Sequence, residues 1–390
     1  MDHIAFRPAN LHLRAQPPAG GRMADAVATP DFDTLVQCLH AAAVRVDVGD
    51  PGADAALQRL LATLQSHPDP RCTGLAVFAS ALAQRLDGAA SGVANLYLQR
   101  FEVPQIALFN LLGRHVPLAG MATRIANDSM AQAIAGQAHP TLIDVGIGTG
   151  RQIVLLLGDL AAAGRLPQVL TVIGIEPAAP ALAEARRSLE ATAAGLGVVL
   201  HFHGIAASVE ALTDADWQTI AAACSTRPVI NASFALHHIA DDAAGGELRS
   251  AVLRRLHRLD PRCFVLSEPD VDHVEPRFLQ RFRNCHAHFS AVFGLLDALP
   301  LAQADRDALK VGFFGREIHD ILGTPEPLRS ERHEAAAAWL TRLVATGFSL
   351  RADMPLPASG HAGVTATRCG DRVAIQAGDE PLVSVFVAAA

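Results

Sequence analysis

No stretch of about 18 uninterrupted apolar residues occurs in this chain, the length a membrane-spanning helix requires, although half of its 390 residues are apolar. The apolar runs are broken by Asp159, Arg165 and Glu176. The first residues carry Arg7, Arg14 and Arg22 among Pro and Gly but no apolar core, so no secretory signal is evident. The six cysteines (38, 72, 224, 263, 285 and 369) form no Cys-x-x-Cys pair, which excludes a disulfide framework and predicts free thiols in a reducing cytoplasm. Positive charge is not in excess: the net charge is −7, which argues against a surface built to neutralise nucleic-acid phosphates. No internal repeat, no Gly-x-Ser-x-Gly nucleophile and no zinc, iron or calcium ligand spacing is visible, so no metal and no hydrolase chemistry are expected.

What is present falls into three parts. Residues 1–30 are rich in Pro, Gly and Ala and read as a flexible lead-in. Residues 31–138 read as an all-helical cap. Apolar residues recur there at helical spacing (Leu35, Cys38, Leu39 and Ala42; Leu57, Leu60, Leu61 and Leu64; Leu75, Phe78, Leu82 and Leu86), with breaks at Asp50-Pro51-Gly52, Pro68-Asp69-Pro70 and Asp87-Gly88. Further helices are expected from about Val93, interrupted at Pro104, and from Leu118 to Ala135.

At His139-Pro140 the pattern changes. Short runs rich in Val, Ile and Leu at 141–145, 169–175, 198–203, 228–233 and 263–266 alternate with helical segments at 152–163, 179–194, 215–224 and 245–259. Strands apolar on both faces and alternating with helices imply a parallel sheet covered on both sides. A helical insertion at about 275–346 precedes strand-like segments at 348–350, 372–376 and 382–387. The predicted fold class is α/β: a Rossmann-like, class I methyltransferase sheet over 139–390, mostly parallel with a late antiparallel strand, plus the helical cap and the helical insertion.

The sharpest motif is Leu142-Ile143-Asp144-Val145-Gly146-Ile147-Gly148-Thr149-Gly150, an apolar strand running into a glycine loop and then a helix. Such a loop lets backbone approach a ligand closely and puts amides at a helix N-terminus, where they favour an anion. A dinucleotide fingerprint places its third Gly five residues after the first. Arg151 stands there, with the glycine one residue earlier at Gly150. That spacing suits S-adenosylmethionine, whose carboxylate would face the amides, with NAD as the competing reading. Glu176, ending the second strand, suits the ribose hydroxyls, and Asp144 the amino group or sulfonium. The third strand ends at His203, with no acid for the adenine, so backbone or His203 would hold the base. Asn231 ends the fourth strand.

Candidate catalytic groups follow the fourth and fifth strands: His238 and Glu268 first, His237 and Asp270 in reserve, as a base or as a seat for a cationic substrate. On the inserted helix, Phe282, Cys285, Phe289 and Phe293 recur at helical spacing and read as core. His286 and His288 differ by two and do not share a helix face.

Taken together these motifs resemble the GRAS family, known from plant regulators and present in bacteria, over about Leu98–Gln376. The segment Thr141-Leu142-Ile143-Asp144 is similar to its VHIID block and Ala126-Asn127-Asp128-Ser129 to the segment before it. Asn231 with Leu236-His237-His238 resembles its Asn…Leu-His element. The stretches Arg281-Phe282-Arg283, His288 to Asp297 and Phe313 to Ile318 also match, as does the spacing of Trp339 and Leu340 to Gly347-Phe348. A C-terminal Ser-Ala-Trp is absent, whereas Gly146, Gly148 and Gly150 form a full loop that plant members typically lack. The alanine- and arginine-rich composition looks bacterial. The expectation is a cytoplasmic, GRAS-like, S-adenosylmethionine-dependent methyltransferase acting on a small, apolar molecule, with no nucleic acid or membrane partner and a homodimer allowed. The alternative is a non-catalytic regulatory or interaction module that binds a small ligand or protein through the same fold.

Overall fold

The computed structural model describes residues 30–88, 108, 111–113, 115–240, 247–357 and 363–390. The expected lead-in and the helix from Val93 through Pro104 lie outside the described residues. The described residues open with three helices, α1 (Phe32–Asp47), α2 (Ala53–Ser66) and α3 (Cys72–Asp87). Asp31 caps the first, accepting the Thr34 amide at 2.8 Å. Leu35, Leu39, Ala42, Ala43 and Val46 make its buried stripe. Cys38 and Leu86, read from spacing as part of the buried faces, are exposed.

Helix α4 (Pro117–Ile134) then leads into strand β1 (Thr141–Val145), α5 (Arg151–Ala162), β2 (Val169–Ile175), α6 (Ala179–Leu196) and β3 (Val199–Ile205). There follow α7 (Asp214–Ala223), β4 (Val229–Ser233), α8 (Leu248–Arg258) and β5 (Cys263–Pro269). The insertion contributes α9 (Phe278–Ala298), α10 (Gln303–Asp307), a π-helical turn (Ala308–Phe314), α11 (Gly315–Gly323) and α12 (Ala336–Ala345). The chain closes with β6 (Ser349–Leu350), β7 (Thr365–Arg368), β8 (Val373–Ala377) and β9 (Glu380–Ala389).

One mixed sheet runs in the order β3-β2-β1-β4-β5-β9-β8-β7, with β6 pairing with β9. Strands β1 to β5 pair in parallel, and β9 runs antiparallel to β5. The pleat separates two cores. On one face Leu142, Val172, Val229, Val265 and Val385 meet α4, α5, α6 and α9. On the other, Ile143, Ile173, Ile230, Phe264 and Phe386 meet α7, α8 and α12 through Trp217, Leu253 and Trp339. Over β1, β4 and β5 neither face is left to water, which explains their continuous apolar runs, whereas β3, at the sheet edge, is largely exposed and carries His201 and His203.

The change of pattern at His139-Pro140 is a change of secondary structure but not of packing. Helix α4 lies on β4, β5 and β9, and α3 packs on α11 while α1 packs on α9, so the cap and the insertion share one core with the sheet. Phe282, Cys285, Phe289 and Phe293 are buried in that shared core. No described helix is long and apolar enough to cross a membrane. Lysine occurs once in the sequence, at Lys310. Its side chain is 1% exposed and its Nζ lies 2.6 Å from Asp297 Oδ1.

Candidate functional site

Strand order reverses direction between β1 and β4, so the loops leaving their carboxyl ends part and open a crevice, the place where open α/β sheets bind ligands. A cleft of about 140 Å³ lies there, lined by Asp144, Gly146, Gly148, Arg151, Glu176, Glu210, Asn231, Phe234 and His238, among others. Six of the residues expected at the site from sequence therefore meet in one place: Asp144, Gly146, Gly148, Glu176, Asn231 and His238. Gly150 does not line it. It is the N-cap of α5, with φ +76°, and a Cβ there would stand 3.2 Å from Ala185 Cα. His203 is exposed on the edge strand and does not line the cleft. Ala207, Ser208, Val209 and Glu210, just beyond β3, stand along that wall.

All three loop glycines have positive φ. The amides of Gly146 and Ile147 donate to the Ile175 carbonyl, and that of Gly148 donates to Glu176 Oε2 at 3.0 Å. Glu176 Oε1 accepts the Ala178 amide at 2.9 Å. Burial raises the Glu176 pKa, and these two amides oppose the rise. With three loop amides so engaged, the first turn of α5 and the Arg151 guanidinium are the cationic features of that wall. Arg151 is anchored by donating to the Gly113 carbonyl at 2.9 Å.

Asp144 is 3% exposed. Burial pushes its carboxyl up to about 7, with a hydrogen bond from Asn231 lowering it and the Glu176 charge raising it. Asn231 Nδ2 donates to Asp144 Oδ1 at 2.8 Å, while Asn231 Oδ1 accepts from Ser233 at 3.2 Å and Gln152 at 3.3 Å. Gln152 in turn offers its carbonyl to Asn127. A polar relay thus links α4, α5, β4 and β1 beneath the cleft. Phe234, on the cleft wall, holds φ +56°, a left-handed conformation that is strained for an aromatic residue.

The expected catalytic groups divide. His238 lines the cleft, and burial followed by the neighbouring His237 charge lowers its pKa to about 3, which makes it a neutral, weak base. Glu268 is 0% exposed and faces the turn after β4, accepting the amides of Ala235 and Leu236 and His237 Nδ1 at 2.5 Å. His237 stands between Glu268 and Glu331. Burial alone would lower its pKa, but the two carboxylates outweigh that and raise it to about 10. Asp270 is a structural clasp: it accepts from Arg372 at 2.7 Å, Ser384 at 2.8 Å and the first amide of α12, Ala336, at 2.7 Å. Three of the four are thus engaged in holding the sheet edge and its turns.

Phe234, the aromatic of the Asn231-x-x-Phe234 element, lines the cleft, whereas sequence reading passes over Arg151, Gln152 and Glu210 on its wall, and also residues 329–334. That segment looks like a charged surface loop, yet Arg329, Ser330, Glu331, His333 and Glu334 are all buried. Their partners come from elsewhere: Asp320 accepts the amides of Ser330 and Glu331, and Arg249 donates to the carbonyls of His237, Ile239 and Arg332. The one available signal is Glu331-Arg332-His333, an i, i+2 pair that shares a face only on extended chain.

Comparison with known proteins gives the family. The rice protein SCL7 has a solved structure that superposes with a TM-score of 0.72 at 24% identity, covering 91% of this chain and 99% of that one, a likeness of fold. The GRAS family protein RAD1 of Lotus japonicus is 28% identical over 289 residues, 70% of this chain and 55% of its own. The protein SLENDER RICE1-LIKE 1 of Oryza sativa subsp. japonica is 30% identical over 237 residues, 60% of this chain and 48% of its own. The chain spans about half the length of the curated relatives it matches. The family model described as "GRAS domain family" matches residues 33–358, and the chain belongs to that family.

Proposed function

We propose that this chain is a GRAS-family regulatory module whose cleft binds an S-adenosyl nucleotide, S-adenosylmethionine or its demethylated product. One observation carries the reading: Asp144, Gly148, Arg151 and Glu176 line a single cleft at the β1/β4 crevice, whereas Glu268, His237 and Asp270 are engaged away from it. The donor set fits such a ligand. Glu176 suits the ribose diol, Arg151 and the first turn of α5 the carboxylate, Val209, Phe234 and Ile239 the adenine, and Asp144 the cationic amino group. When bound as S-adenosylmethionine, the nucleotide supplies an activated methyl group. The chain's residues orient it and exclude water. The relationship to plant regulators such as the DELLA protein GAI of Arabidopsis thaliana supports a signalling rather than a metabolic role.

Methyl transfer to a small molecule is the second reading, favoured by the intact glycine loop and by His238, the one expected catalytic residue that lines the cleft. In-line displacement at a sulfonium gains much of its rate from orientation, so a weak base does not exclude it.

The test is the melting temperature with and without S-adenosylhomocysteine, with NAD as competitor and Glu176→Ala as control. A ligand at about 100 times its Kd stabilises by about 2.7 kcal/mol, a shift of roughly 3–4 °C for a chain of this length. A shift that vanishes in Glu176→Ala supports the proposal, and no shift in the wild type overturns it. Label transferred from S-adenosylmethionine to any component of a cell extract, and lost in His238→Ala, would put the second reading first.

A further inference from the structure

Beyond the cleft, on the other side of the turn that follows β4, three side chains from distant parts of the chain turn their donor atoms toward one point. His237 comes from that turn, and Glu331 and His333 from the buried segment before α12. We infer that His237, Glu331 and His333 form a binding site for a divalent transition metal of the zinc type, a site independent of the nucleotide reading.

The geometry is that of ligands around an ion. The three donor atoms lie within 4.8 Å of one another. Glu331 Oε2 is 3.3 Å from His237 Nε2 and 3.2 Å from His333 Nε2. In a tetrahedral site with bonds of about 2.0–2.1 Å, neighbouring donors stand roughly 3.3–3.4 Å apart. The set contains two imidazoles and one carboxylate, a combination that zinc accepts while leaving a position open. All three residues are at least nine-tenths buried. Glu331 Oε2 carries negative charge in the interior, and the groups that face it are the two imidazole Nε2 atoms, neither in good hydrogen-bond geometry. A buried carboxylate oxygen in that state calls for a cation.

The surroundings fix the ligands as metal sites require. His237 Nδ1 bonds to Glu268 Oε2 at 2.5 Å, and Glu268 is itself held by two backbone amides. With its Nδ1 proton directed at Glu268, His237 aims Nε2 at Glu331; once a metal displaces the Nε2 proton, this is the arrangement in which an outer carboxylate orients a metal-bound imidazole. His333 Nδ1 is 2.8 Å from His273 Nδ1, which fixes the second ring and leaves its Nε2 toward Glu331. His237 and His333 also border a small cavity of about 50 Å³ walled by Phe289, Phe313, Phe314 and Glu317, room for a water on the remaining position. A proton on His237 is the competing occupant of the same point, and the experiment separates the two.

The full chain is produced in medium with added Zn2+, and separately with Co2+, and desalted. Its metal content is measured by mass spectrometry of the digested protein, with the melting shift by S-adenosylhomocysteine recorded in parallel. The expected result is about one equivalent of metal per chain, visible absorption bands of tetrahedral Co2+, and loss of at least tenfold in metal content in Glu331→Gln and His333→Gln. His257→Gln, elsewhere on the fold, keeps its metal. X-ray absorption of the zinc-loaded wild type needs no variant and should show only nitrogen and oxygen neighbours, two of them imidazole. A wild type free of metal from both media, metal retained by both variants, or sulfur ligation overturns the site, whatever the nucleotide does to the melting temperature.

Discussion

Glu176 Oε2 accepts the amide of Gly148 at 3.0 Å, so the acid that ends β2 and the glycine loop that follows β1 move as one unit. Replacing that carboxylate by an amide keeps the shape and removes the charge. A hydrogen bond to a charged group contributes about 1.5–3 kcal/mol. Glu176→Gln should therefore weaken S-adenosylhomocysteine about 10- to 100-fold by isothermal calorimetry. The apo protein should lose about 1–3 kcal/mol as well, because a glutamine oxygen can accept only one of the Gly148 and Ala178 amides and its NH2 is set against the other.

Asp144 gives a dependence on pH whose sign can be worked out. Burial pushes its folded-state carboxyl up to about 7, against 3.8 for the free side chain, with Asn231 lowering it and Glu176 adding to the rise. Between those values the folded chain holds a proton that the unfolded chain has released. Wild-type stability thus falls as pH rises from about 4 through 7. Asp144→Asn copies the neutral form. By urea denaturation it should match the wild type's unfolding free energy near pH 4 and exceed it at pH 8 by on the order of 2–4 kcal/mol, with a higher midpoint. Its affinity for the nucleotide should drop, since the charge that penalises the fold is the one offered to the ligand's amino group. Equal midpoints at pH 8 would contradict this account.

Gly150 and Gly197 separate conformational need from crowding. Both have positive φ, +76° and +72°, but an added Cβ at Gly150 meets Ala185 Cα and Cβ at 3.2 Å, whereas at Gly197 it meets nothing within 4 Å. Ala at Gly197 should cost about 1 kcal/mol, the left-handed penalty alone. Ala at Gly150 should cost roughly 2–4 kcal/mol, since backbone and not a flexible side chain must yield. Chemical denaturation of the two variants measures the difference, and equal losses would mean that α5 shifts freely away from α6.

Asp270→Asn tests the assignment of that residue to the frame. Of its three partners, Ser384 lies on β9, Arg372 immediately precedes β8, and Ala336 opens α12. The variant should lose about 1.5–3 kcal/mol of stability. Its affinity for S-adenosylhomocysteine, by calorimetry at a temperature where it is folded, should stay within about twofold of wild type. A selective loss of binding would return Asp270 to the site.

The sequence was most legible where the environment of a strand is uniform. Strands β1, β2, β4 and β5 sit between two helical layers, so Leu142-Ile143 or Phe264-Val265-Leu266 are apolar in succession and stand out as runs. Strand β7 went unseen because Thr365-Ala366-Thr367-Arg368 lies at the sheet's outer edge and is mostly exposed. The glycine loop and Glu176 were readable because their spacing is local, one turn and one strand. Glu331 and His333 were not, because their meaning depends on His237, brought to them by the closing of the sheet. Adjacent residues also took opposite roles, His238 toward the cleft and His237 toward Glu268, a divergence that spacing anticipates without saying which way each points.

The solitary Lys310, tucked against Asp297, has a chemical consequence. Every other side-chain cation outside the histidines is a guanidinium, which forms no amide or imine with acyl or carbonyl reagents under ordinary conditions. The folded protein therefore offers no accessible ε-amine: acetylation, isopeptide attachment of a second protein and amine cross-linking find no lysine on its surface. Modification of this chain's surface side chains therefore falls to other groups, among them hydroxyls, arginines and exposed thiols such as Cys38 and Cys369.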